Sequence, residues 1–181
     1  MTQVMASADE VAWPVAVAVR NLIGGELAGA VGGPPATVAV VPGRDVAIDD
    51  CCAGLAWVRI VRVFPSDPGE FPNARTAAVT ADGCLGGLYW AVELGVGSAR
   101  CAPSEDDAGV PPTGAELEAS AFALADDAGR IRRAVLCGLP GLEEVDEVAI
   151  GEQTNVGPSG GCVGQELLVT VLTRACVCGE E

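Results

Sequence analysis

The chain has 181 residues, half of them hydrophobic, and sets 25 acidic side chains against 10 basic ones, all arginine, for a formal charge of −15. That length suits one domain with a real core, and that charge repels a nucleic-acid backbone, whose binding needs several phosphates neutralised by Lys or Arg. Histidine and lysine are both absent, which excludes Ser-His-Asp and Cys-His machinery, an imidazole base, a Schiff base and a P-loop lysine.

The first element is a helix over about 12–30, where "WPVAVAVRNLIGGELAGAV" sets Val15, Val19, Leu22 and Leu27 near one side. Pro14 is acceptable there only in the first turn, and Gly24-Gly25 weakens the far end. The apolar run Val11 to Val19 is interrupted by Pro14 and closed by Arg20, well short of the roughly 20 residues that span a bilayer. No basic residue precedes Arg20, so a secretory n-region is missing and the expectation is a soluble chain that folds in the cytoplasm where it is made, with no membrane partner.

"GGPP" then breaks the helix, and "ATVAVVPG" reads as a short strand at 37–41. A longer strand follows at 55–64, expected to end where Pro65 cannot continue the ladder. A loop is expected over about 65–83. The next strand is 88–99, where Gly95 and Gly97 mark a bulge or a close backbone approach.

After a second loop over about 101–114 comes the best punctuated helix. Thr113 with Glu116 makes a capping box, Arg132 and Arg133 sit in the last turn, and Gly138 and Pro140 stop the chain. Leu117, Ala121, Leu124, Ala128, Ile131 and Val135 form one apolar stripe along its full length, which is core packing rather than a cofactor box. Glu118, Asp126, Asp127, Arg130 and Arg133 fall on the other side and are expected to face outward. The last unit, about 151–178, reads as a glycine loop followed by a strand. Leu167, Val169 and Val171 line one face of that strand, and Leu168, Thr170 and Leu172 the other. A strand apolar on both faces wants cover on both, which a partner protein could supply. The order predicts a single α+β domain over 1–181: a largely antiparallel mixed sheet with two helices packed on one face.

Three chemistries have to be weighed. The pairs Asp49-Asp50, Asp106-Asp107 and Asp126-Asp127 could serve carboxylate catalysis or bind magnesium, but adjacent side chains diverge and no partners are named elsewhere; they read as solvated charges. Eight cysteines stand at 51, 52, 84, 101, 137, 162, 176 and 178. They lack the two C-x2-4-C pairs of a structural zinc site, although one built from the 51/52 and 176/178 pairs is an alternative. A disulfide framework fits a small secreted domain better, so most read as buried small hydrophobes. Finally, "GPSGGCVG" precedes a strand instead of opening a helix, which argues against a phosphate loop. Its glycines permit positive φ and close approach, making Pro158, Gly160, Gly161, Cys162 and Gly164 a candidate joint with another subunit. No catalytic, metal or cofactor residue is assigned.

"DDCCAGLAWVRIVRVFPS" (Asp49 to Ser66), "CLGGLYWAVELGVGSARCAP" (Cys84 to Pro103) and "GPSGGCVGQELLVTV" (Gly157 to Val171), in this order, resemble the tail terminator proteins of long-tailed phages of actinobacteria. The resemblance spans about residues 10 to 178 and places motif cysteines at Cys51, Cys52, Cys84, Cys101 and Cys162, without saying whether they pair. It implies a non-enzymatic virion protein with an α+β fold that forms a homo-hexameric ring. Such a ring caps the tail tube at full length, ending polymerisation of the major tail tube protein, and then docks to the head-to-tail connector or stopper. Genomic DNA passes through the lumen without specific binding. Strand edges and the two long loops are the contact surfaces this implies. The alternatives are another neck component, such as a head-completion, stopper or minor tail protein, and a cysteine-rich metal-binding protein.

Overall fold

The computed structural model describes residues 9–48, 51–76 and 88–175, and within them two helices and one open five-stranded sheet make an α+β fold. Helix α1 (Ala12–Leu27) is followed by β1 (Thr37–Val40), β2 (Leu55–Ser66) and β3 (Leu88–Cys101); then come α2 (Gly114–Arg133), β4 (Glu147–Ser159) and β5 (Cys162–Ala175). The sheet order is β1-β2-β3-β5-β4. The β1–β2 pair is parallel and the other three are antiparallel. Both helices pack on one face of the sheet, as the order of the elements predicts.

Helix α1 forms despite its glycines because Ala12, Val15, Ala16, Val19, Ile23 and Leu27 recur on one side and are all buried. Each large member contributes about 1.5–3 kcal/mol on burial. Its start is fixed by Asp9, whose Oδ1 accepts from the Val11 and Ala12 N–H groups at 2.9 and 3.1 Å. These apolar side chains meet Ala56, Val58, Val92, Leu94, Val96, Leu167, Val169 and Val171 from the sheet, Ile131 from α2, and Ala134 and Val135 from the π-helical turn Ala134–Gly138 that continues it.

Strand β2 runs two residues beyond its predicted end, through Pro65. Pro65 accepts from the Arg75 N–H at its carbonyl, on the side away from β3. In a strand, a residue's N–H and C=O point the same way, so the missing donor also faces the unpaired edge and the β3 ladder loses nothing. A second difference is larger: residues 151–159, predicted as loop, are the end of strand β4. Register shifts between Ile150 and Gln153 and between Val156 and Ser159 absorb the glycines and Pro158 as bulges.

Helix α2 has the capping box, with the Thr113 side chain accepting from the Glu116 N–H while Glu116 accepts from the Thr113 N–H. Only the C-terminal half of the predicted stripe reaches the core. Ala128, Ile131 and Val135 are buried, whereas Leu117 is 50 % exposed, Ala121 is exposed and Leu124 is half-buried. The helix starts out beyond the layer it packs on, which local spacing cannot reveal.

Nor is Asp127 on the outer side; it is 1 % exposed. It accepts from Arg100 Nε and a terminal nitrogen at 2.7 and 2.8 Å, and the same guanidinium donates to the Gly32 and Gly33 carbonyls. Asp126 accepts from the Val31 N–H at 2.8 Å and from Arg130. This acidic pair is a clasp fastening the α1–β1 turn to α2, not a solvated charge.

Candidate assembly surface

The face of the sheet away from the helices is not a bare apolar surface. The chain's own loops cover both its ends. At one end Ile48 and Cys51 pack on Trp57, Ala99 and Cys162; at the other Leu172 is fully buried among Phe64, Ala91, Phe71 and Tyr89. Leu168 and Thr170 are half-buried between these clusters. The cover expected from a partner is therefore largely supplied within the chain.

A charged strip crosses the middle of that face. Glu166 accepts from Trp57 Nε1 at 2.9 Å and from Arg59 Nε at 2.8 Å, and the Glu93 carboxylate accepts from Arg62 Nε at 2.6 Å. Burial pushes the Glu166 carboxyl upward, but the hydrogen bonds from Arg59 and Trp57, with the Arg59 charge, outweigh it and hold the group below its usual value. The same pairing raises Arg59. Gly95 and Gly97 make room: a Cβ at 95 would come within 2.8 Å of both Arg59 and Glu166, and one at 97 would overlap the Trp57 ring. The expected close backbone approach is met at Gly97, where such a Cβ would run into the Gln165 carbonyl oxygen; at Gly95 the crowding comes from side chains.

The five residues of the candidate joint lie where β4 turns into β5, but they divide. Gly160 and Gly161 form the two-residue turn, at φ +58° and +78°, and are exposed with open space around them. Pro158 is exposed beside them. Cys162 is 1 % exposed, and a Cβ on Gly164 would lie 2.5 Å from the Ser98 carbonyl oxygen. Those two hold the hairpin to β3 from inside. Of the five, Pro158, Gly160 and Gly161 are open to another molecule.

Cysteines set the geometry of this corner. Cys51 bonds to Cys162 and Cys52 to Cys101, so four side chains read as small hydrophobes are two disulfides. Cys101 and Cys162 are also register partners across β3 and β5. The Ala102 N–H donates to the Gly161 carbonyl at 2.7 Å, tying the turn to the end of β3. Cys137 is free and exposed. Cys84, Cys176, Cys178 and the pair Asp49-Asp50 lie outside the described residues.

Beside the turn, the overhanging half of α2 and the β4–β5 hairpin enclose an open groove of about 590 Å³. Ala121, Leu124 and Ala128 form its apolar wall; Gln153, Asn155 and Gln165 form the opposite one. Arg132 bonds to Gln153, and Gln165 reaches back to the Leu124 carbonyl at 2.8 Å, bracing the wall. Phe122, on the same half of α2, is 63 % exposed. The sequence alone did not mark this groove; the signal was present only as an apolar stripe longer than the layer it could rest on.

No protein-family model and no curated protein matches the chain. It is similar to a chain in the virion of a native gene transfer agent particle, at 10 % identity and a TM-score of 0.42, over 91 % of this chain and 100 % of that one. So loose a likeness passes on no function.

Proposed function

We propose that this is a non-enzymatic virion assembly protein, a tail terminator whose ring caps the tail tube and docks it to the head. The observation that supports the reading best is where the resembling segments lie. Asp49–Ser66, Cys84–Pro103 and Gly157–Val171 are far apart in sequence, yet they carry β2, β3 and β5, three adjacent strands, and the cysteines Cys51, Cys52, Cys101 and Cys162 meet at one end. A resemblance arising from composition alone would scatter over the fold.

In this reading the working surface is the corner holding the Gly160-Gly161 turn, the 101–113 loop and the overhanging half of α2. The apolar Leu117 and Phe122 and the groove beneath α2 meet a neighbouring subunit or the tube, while the helix-covered side of the sheet is scaffold. A charge of −15 per subunit, repeated around a ring, gives a lumen that DNA traverses without adhering.

Co-expression with the tail tube protein of the same phage tests this. Capped tubes bearing this chain at one end, seen by electron microscopy, are the expected outcome. Tubes that elongate indefinitely with the chain left in the supernatant would overturn the reading, and a chain bound to the connector but not to the tube would move it to the head-side neck component.

A further inference from the structure

We propose that the corner formed by Cys51, Cys52, Cys101 and Cys162 is a zinc site in the reduced chain, and that the two disulfides are its oxidised, metal-free closure. This does not depend on the assembly reading. The sulfurs of Cys51, Cys52 and Cys101 all lie within 4.8 Å of one another, and Cys162 is joined to Cys51. A tetrahedral Zn²⁺ with thiolate bonds of about 2.3 Å needs its sulfurs roughly 3.8 Å apart; once the S–S bonds open, the Cys162 sulfur, which lies outside the three-sulfur cluster, must turn toward Cys52 and Cys101 to reach that spacing. Four sulfurs with no nitrogen or carboxylate among them make a soft ligand set of the kind that closed structural zinc sites use.

The corner also has the right enclosure. Cys51 and Cys162 are 0 % and 1 % exposed, while Cys52 and Cys101 face solvent and leave an entry path. The ligands come from three places, the loop before β2, the end of β3 and the start of β5, so no C-x2-4-C spacing announces them. The Cys162 sulfur, held in a disulfide here, lies 2.6 Å from the Ile48 carbonyl oxygen, a position from which a reduced thiol could donate and a metal-bound thiolate could not.

The chemistry balances. Four thiols lose four protons to bind one Zn²⁺, which neutralises half of the thiolate charge in a chain already strongly acidic. Hydrogen peroxide then converts them to the two disulfides: two molecules take four electrons from the four thiolates and, with four protons, leave as four waters, and Zn²⁺ is expelled. Two molecules of a dithiol reverse this, giving up four electrons and four protons to the two disulfides.

The test uses the full chain, reduced with a phosphine. Titration with Co²⁺ should give tetrahedral thiolate absorption that saturates at one metal per chain and is displaced by Zn²⁺. Alkylation of the zinc-loaded chain followed by mass spectrometry should label Cys137 and protect the four ligands. Cys101→Ser should lose binding at least tenfold, while Cys137→Ser binds as the wild type does. Absence of metal uptake by the reduced wild type overturns the proposal. So does uptake that leaves Cys51, Cys52, Cys101 and Cys162 open to alkylation, a result read without any variant and unaffected by a Cys101→Ser chain that fails to fold.

Discussion

The Trp57 ring occupies the space that a side chain at position 97 would need, and the Gln165 carbonyl closes the same space from the other side. The two strands that flank β3, β2 and β5, thus meet over one of its residues. Trp57 cannot swing away freely because its Nε1 donates to Glu166. Gly97→Ala should therefore destabilise the fold by about 1–3 kcal/mol through overpacking. Urea unfolding measures it; an unchanged midpoint would mean that the ring yields without loss.

Glu166 gives the fold an acid-sensitive element. Its carboxyl is held below the ordinary value in the folded chain, so the stabilisation it brings is fully present above the unfolded value, about 4.3. It is lost as pH falls from there through the depressed folded value. Glu166→Gln should flatten the decline of stability below pH of about 4.3 while lowering stability at neutral pH. Arg59→Met should cost about 2 kcal/mol at neutral pH by leaving a half-buried carboxylate without its cation. Parallel pH–stability curves for wild type and Glu166→Gln would remove Glu166 from this role.

Much of this fold could be read from local chemistry. The α2 capping box needs only Thr113 and Glu116, and the central strands declare themselves through runs such as Leu55–Phe64. What stayed hidden depends on partners distant in sequence. Asp127 is buried because Arg100, 27 positions earlier, reaches it; nothing beside Asp127 announces that. The cysteine corner exists because the β3–β5 register sets Cys101 opposite Cys162. Residues 151–159 look like a loop because glycine and proline are poor strand formers, but pairing with β5 and two bulges overrides that tendency. The α2 stripe has the same spacing over and beyond the sheet, so its exposed half could be recognised only against the layer beneath it.

Thr113→Ala removes the side-chain acceptor for the Glu116 N–H and should cost about 1 kcal/mol. The Glu116 carboxyl, held low by its hydrogen bonds from the Thr113 backbone and hydroxyl, should titrate closer to an ordinary Glu in that variant. Thermal unfolding and carboxyl NMR read the two effects. Tail length should not change, since the cap orders the helix without supplying the contact. A stable Thr113→Ala protein with a gross assembly defect would instead place the joint at the start of α2.

Function at the hairpin tip can be separated from turn geometry. Gly160 and Gly161 both have positive φ, and no atom stands within 4 Å of a Cβ added at either. Replacing both with Val therefore meets backbone strain rather than crowding inside the subunit, at about 1–2 kcal/mol per residue, and it tests the turn and the joint together. Replacing both with Asn does not, because Asn tolerates the left-handed region. The double-Asn chain should keep its stability within about 0.5 kcal/mol and still carry two added side chains where a neighbour's backbone must approach. If the tip is the joint, both double variants should give tubes of abnormal length or tails unjoined to heads, and only the Val variant should also lose stability. Normal virions from the Asn variant, with defects confined to Val, would show that the glycines serve the turn alone, and the search for the joint would move to the groove beneath α2.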